Sequence, residues 1–67
     1  MSKIITIIFI EDNPSPEDIQ NAIREDFPQG YAYAFRTRFG SYKLRSNRGS
    51  RPDGETFLGK IHLTKNQ

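Results

Sequence analysis

Cysteine is absent from the 67-residue chain, which excludes disulfide staples, thiolate zinc sites and a cysteine nucleophile together. Histidine occurs once, as His62, with no acidic neighbour in sequence. A metal site needs several converging ligands, so His62 reads as a solvent-facing or edge residue. Long apolar runs are missing too. The most apolar stretch, Ile4-Ile5-Thr6-Ile7-Ile8-Phe9-Ile10, meets Glu11 and Asp12 after seven residues, with no small-residue cleavage site. A membrane span needs about 20 apolar residues, and a signal peptide roughly 7–15 ahead of a processing site. The expectation is a protein without membrane contact in the cytoplasm, a reducing compartment with which the lack of cysteine agrees. Nucleophile elbows, phosphate loops and metal motifs are likewise missing, and Gly49-Ser50-Arg51-Pro52-Asp53-Gly54 lacks the lysine and following helix of a phosphate loop. A non-enzymatic protein with no cofactor and no metal is expected.

Apolar residues make up 34% of the chain and charged residues 27%, lean for a globular protein but not the composition of a disordered one. A chain this short buries only about 60% of its unfolded surface, so residues 1–67 form one small domain that must be stabilised by packing or self-association.

Five isoleucines between Ile4 and Ile10, with apolar residues on both faces, predict a first strand over 3–10. Ser15 as N-cap, Pro16 at the first helical position and Glu17-Asp18 in the first turn predict a helix start. Ile19, Ala22, Ile23 and Phe27 then form one apolar stripe, and Pro28 and Gly30 end the helix at 27. From Tyr31 the period is two, which predicts a strand to Phe39. Gly40-Ser41 reads as a two-residue type II′ hairpin turn. That turn sets Phe39 opposite Tyr42, Arg38 opposite Lys43, Thr37 opposite Leu44 and Arg36 opposite Arg45. Ser46 to Gly54 reads as a mobile loop, Thr56 to Thr64 as the last strand and 65–67 as a frayed tail.

The order β-α-β-β-β implies an α+β class, two-layer domain. One amphipathic helix packs on one face of a mostly antiparallel or mixed sheet, and a right-handed crossover makes the first two strands parallel. In this register Ile19, Ile23 and Phe27 pack on Tyr33, Phe35, Leu44, Phe57 and Ile61, so that an aromatic face meets the helix while Arg36, Arg38, Lys43 and Arg45 share the other.

Charge is segregated. Residues 1–30 hold six acids against Lys3 and Arg24, and residues 31–67 hold eight bases against Asp53 and Glu55, so the halves are −4 and +6 within a total of +2. Arg36, Arg38, Lys43, Arg45, Arg48 and Arg51 fall in one stretch interleaved with Phe39 and Tyr42. Like charges paired across strands cost a few tenths to about 1 kcal/mol each, and a basic face that accepts this is expected to serve an anionic partner. Charges that guard an edge strand are the plainer alternative. On the first strand one helix can cover only one side, leaving Ile4, Ile8 and Ile10 as a half-exposed row. This row is an oligomer or partner interface, unless sheet curvature or the last strand covers it. Two functions fit: a small nucleic-acid-binding protein using the basic face and loop, or an inhibitor or adaptor docking on an acidic protein surface through the same face and the isoleucine row.

Overall fold

The computed structural model describes residues 4–11, 13–49 and 54–64. The elements are β1 (Thr6–Ile8), α1 (Pro16–Asp26), β2 (Tyr31–Arg36), β3 (Tyr42–Arg45) and β4 (Thr56–His62). One helix packs with a four-stranded sheet of order β1-β3-β2-β4, in which every neighbouring pair is antiparallel. Because β1 and β2 both run antiparallel to β3, they are parallel to each other, separated by one strand. The α+β, two-layer expectation holds.

The helix begins where its capping chemistry directs. Ser15 is extended, at φ −69° and ψ 156°, and its hydroxyl accepts from the Asp18 N–H, satisfying one of the donors a helix start leaves open. At the other end the Phe27 N–H bonds the Ile23 carbonyl, and the Gly30 N–H then returns to the Phe27 carbonyl at 2.9 Å. That closes a turn with Pro28 in its second position, where a fixed φ suits it. Gln20 ties the helix to β4: its amide donates to the His62 carbonyl and accepts from the Thr64 N–H.

β1 is shorter than expected, three residues rather than 3–10. Its pairing reaches a little further, through Ser46 N–H to the Ile5 carbonyl and Phe9 N–H to the Tyr42 carbonyl. It stops there because β3, its partner among the described residues, is four residues long; Lys3 of the expected strand lies outside the described residues. Ser46, expected as loop, belongs to this ladder: its hydroxyl also accepts from the Ile5 N–H at 2.8 Å, and its carbonyl from the Gln29 amide. Residues 50–53 of the expected loop and the tail at 65–67 lie outside the described residues.

The core lies between helix and sheet. Ile23, Phe27, Ala32, Ala34, Tyr42 and Leu44 are buried, with Ile5, Ile7, Phe9, Ile19, Ala22, Ile61 and Leu63 packed around them. Burial raises the Tyr42 phenol above the ordinary tyrosine pKa, an effect the Arg36 charge partly offsets. No helix among the described residues is long and apolar enough to cross a membrane.

The hairpin register departs from expectation. The loop has three residues, Arg38-Phe39-Gly40, not the two of Gly40-Ser41. Thr37 N–H bonds the Ser41 carbonyl, Gly40 N–H bonds the Thr37 carbonyl, and Gly40 takes φ +91°. This is the form of hairpin that a glycine in left-handed conformation closes with a bulge. The Thr37 hydroxyl reinforces it by accepting from the Phe39 and Ser41 N–H groups. The pairs are therefore Tyr33 with Arg45, Ala34 with Leu44, Phe35 with Lys43 and Arg36 with Tyr42. Compared with the expected pairing this is a shift by an odd number of residues, which exchanges the two faces of one strand relative to the other.

Candidate functional site

The shift in register decides what the uncovered side of the sheet carries. Ala32 and Ala34 point to the helix, so Tyr31, Tyr33 and Phe35 point away from it. On β3 the helix takes Tyr42 and Leu44, leaving Lys43 and Arg45 on the open side. On β4 a bulge at Leu58 changes the alternation: Phe57 pairs with Phe35 and Gly59 with Ala34, leaving Leu58 without a partner. Phe57 thereby joins Lys60 and His62 on the open side. The rows across this face read Thr6–Arg45–Tyr33–Lys60 and Ile8–Lys43–Phe35–Phe57. Aromatic and basic side chains, expected on opposite faces, share one.

The rings form a connected run. Centroid separations are 5.8 Å from His62 to Tyr31, 5.9 Å from Tyr31 to Tyr33, 6.3 Å from Tyr33 to Phe57 and 5.3 Å from Phe57 to Phe35. Cations cover them. The Lys60 ammonium lies 4.2 Å from the Tyr31 centroid and 5.6 Å from that of Tyr33, the Arg48 guanidinium 4.3 Å from Phe57, and the Arg45 guanidinium 5.7 Å from Phe35. Each contact is worth about 0.5–1 kcal/mol where exposed. Phe35 is 1% exposed although it points away from the helix, and the Phe57 ring and the Arg45 guanidinium pack against it there. Tyr31, Tyr33 and Phe57 keep part of their surface open.

Of the basic residues picked out from the sequence, Lys43, Arg45 and Arg48 gather on this face. Arg36 does not: it pairs with Tyr42 on the helix side, and its guanidinium donates to the Gly40 carbonyl. Arg38 sits in the hairpin loop, exposed, beside the Phe39 ring, and Arg51 lies outside the described residues. The four-residue basic face of Arg36, Arg38, Lys43 and Arg45 is thus replaced by one of Lys43, Arg45, Arg48 and Lys60. Phe39, which the period of two sets with Tyr33 and Phe35 on the face expected to meet the helix, is 86% exposed at the hairpin tip. Lys43 pairs with Glu55, whereas Arg45, Arg48 and Lys60 form no ion pair with a described residue. Ile4, Ile8 and Ile10 are 52%, 60% and 100% exposed, while Ile5, Ile7 and Phe9 face the helix.

Sequence reasoning missed Tyr31, Tyr33, Phe57 and Lys60 as site residues. The signal for the tyrosines was Ala32 and Ala34: a strand beneath a helix that carries Ile23 and Phe27 needs small residues on its inner side. Among the described residues no group of three or more acidic or histidine side chains could hold a metal ion. No protein-family model matches this chain, and no curated protein or solved structure shows significant similarity to it.

Proposed function

We propose that the protein binds single-stranded nucleic acid across the open face of its sheet, without catalysing a reaction. The observation that carries this is the run of rings from His62 through Tyr31, Tyr33 and Phe57, on a face that has no second layer among the described residues, with Arg45, Arg48 and Lys60 placed over it. Every base has a π-face, and stacking on an aromatic side chain is worth about 1–3 kcal/mol per base, while cations along the same surface track the phosphates. Tyr31, Tyr33 and Phe57 are the stacking platforms. Phe35 is too deeply buried for this and serves as their support. A broad sheet face suits unstacked bases better than a duplex, whose base edges are read from within a groove.

Three to five phosphate contacts, from Arg45, Arg48 and Lys60 with Lys43 and Arg38 beside them, give a log–log salt slope of about −2 to −3.5 for a single strand. Fluorescence anisotropy with a mixed-sequence single-stranded hexamer and the matching duplex, over a salt series, tests this. Binding of the single strand with that slope, and weaker binding of the duplex, is the expected result. No binding at low salt, or equal binding of both, overturns it.

A second reading rests on the exposed isoleucines. Ile4, Ile8 and Ile10 flank the basic face, a combination that also fits an acidic protein surface or a second copy of the chain. A pull-down with and without nuclease separates the classes, since capture that survives nuclease favours the protein partner. Sedimentation at tens of micromolar reports self-association. A cytoplasmic setting fits either reading.

A further inference from the structure

We propose that β1 is a pairing edge for a second copy of this chain: two molecules join β1 to β1, antiparallel about a two-fold axis at Ile7, into one eight-stranded sheet. The inference goes beyond the single-strand reading and does not depend on it. β1 and β4 are the two edges of the sheet, and they are built differently. β4 carries Lys60, a bulge at Leu58 and Gly59 at φ +140°, features that keep an edge from pairing. Between Ile4 and Ile10 there is no charge, proline or glycine, and the ladder with β3 runs in one register from Ile5 to Phe9. An apolar edge without such guards is a template for another strand.

Parity fixes how the copies meet. Ile5 and Phe9 bond β3 through their backbones, and Ile7, opposite Leu44, alternates with them. The pairs Thr6–Arg45 and Ile8–Lys43 are therefore the non-hydrogen-bonded ones, and the N–H and C=O groups of Thr6 and Ile8 point to the free edge. These two residues, with Ile4 and Ile10 in the same alternation, also carry the exposed side chains of the strand. A hydrogen-bonded pair across the axis must join two of these four positions, so the open faces of both copies lie on the same side. With Ile7 on the axis, Thr6 meets Ile8 of the second copy and Ile4 meets its Ile10, each twice. On the covered side Ile5 meets Phe9 of the second copy and Ile7 meets itself. All three are only half-buried in one copy, so pairing covers both faces of the strand.

Charge favours a second copy as the occupant. In sequence Lys3 precedes the apolar run and Glu11 follows it, so antiparallel order matches opposite signs at each end. From β3 of one copy to β3 of the other there are three strand spacings, about 14 Å, far enough for salt to screen Lys43 and Arg45 of the two copies from each other. The rings of β2 and β4 lie further out and stay open. An acidic partner gains little from a strand that bears no charge.

The test combines sedimentation equilibrium with amide hydrogen exchange. The wild type is expected to show monomer and dimer at tens of micromolar and nothing larger. The Thr6 and Ile8 amides should gain protection with concentration, while those of Ile7 and Phe9 are protected throughout. Thr6→Pro removes a donor that faces the free edge, a place where an edge strand tolerates proline. It should stay folded by circular dichroism and weaken the dimer about tenfold or more, since two donors are lost per dimer. Ile8→Lys, at an exposed side chain, is the second variant and should be monomeric. Because the chain has no cysteine, single replacements read the register. Ile7→Cys should form a disulfide dimer in a glutathione buffer ahead of Thr6→Cys and Ile8→Cys, since only the residue on the axis faces itself. A monomeric wild type, assemblies larger than a dimer, or a dimer undiminished in either folded variant overturns the pairing edge. Crosslinking of Thr6→Cys or Ile8→Cys ahead of Ile7→Cys overturns the axis at Ile7. The single-strand reading stands or falls on its own titration in every case.

Discussion

The two faces of the sheet are built from the same strands and use large side chains in opposite ways. On the covered face β2 contributes Ala32 and Ala34 with Arg36 at its end, β4 contributes Gly59 and Ile61, and most of the volume comes from Ile23 of the helix, Phe27 at its cap, and Tyr42 and Leu44 of β3. On the open face the same strands contribute Tyr31, Tyr33, Phe35 and Phe57, and the cover is a scatter of Lys and Arg stems. The difference teaches that available volume between layers, more than the apolarity of a side chain, decides which way a strand turns. With Ile23 and Phe27 packed against β2, the covered face has room for Ala32 and Ala34 there and for Tyr42 only on β3, and close packing penalises excess volume as well as voids.

The severest way to break the comparison is Phe27→Ala on the covered face. Truncating a fully buried phenylalanine costs about 3–5 kcal/mol, and a core of this size rarely supplies more than about 3–5 kcal/mol in total. Circular dichroism should show the variant largely unfolded at 25 °C. Next is Ala34→Leu, which puts volume where the covered face has none; overpacking should cost about 1–3 kcal/mol, seen as a lower urea midpoint. Tyr33→Ala, one position along, should cost about 1–2 kcal/mol in stability, less than Phe27→Ala, because the ring is part-exposed and gives up surface contacts with Tyr31, Phe57 and Lys60 rather than core volume. It should weaken single-strand binding about fivefold or more. If Tyr33→Ala unfolds the protein as Phe27→Ala does, the two faces are not distinct in kind.

The smallest effect concerns pH. Because burial raises the Tyr42 pKa in the folded protein, its contribution is fully present below the ordinary unfolded value of about 10 and is lost as pH rises through the folded value. Tyr42→Phe should leave stability at neutral pH nearly unchanged and flatten the alkaline fall in denaturant midpoint.

Local signals were legible in the sequence wherever one residue sufficed to set them. Ser15, Pro16 and Pro28 bound the helix to within a residue of its expected 16–27, and the alternation of Ile5, Ile7 and Phe9 against Ile4, Ile8 and Ile10 told inner from outer on β1. The site was less legible because its composition depends on parity. A period of two says that Tyr33 and Ala34 point to opposite sides but not which side is inner, and apolar area favours the wrong answer. Parity between β2 and β3 hangs on whether the hairpin loop has two residues or three, and Gly40 suits both forms. Parity along β4 hangs on a bulge at Leu58 that no turn residue announces, although Gly59 beside it, at φ +140°, is a residue often found at such irregularities. Positive charge was visible as a cluster, but its partners on the surface were set by these two counts.

The division of charge along the chain has a further consequence once folded. The acids Glu17, Asp18, Glu25 and Asp26 are exposed on the helix, and the cations Arg45, Arg48 and Lys60 lie on the far side of the sheet. The molecule is 17 Å across in its shortest dimension, about twice the Debye length of roughly 8 Å at physiological ionic strength. A polyanion at close range therefore meets one sign of charge or the other, not their sum: it is drawn to one side and turned away from the other. The described residues thus present one cationic side to a charged polymer. On the single-strand reading proposed above, one copy coats a strand in one orientation rather than tethering two strands together.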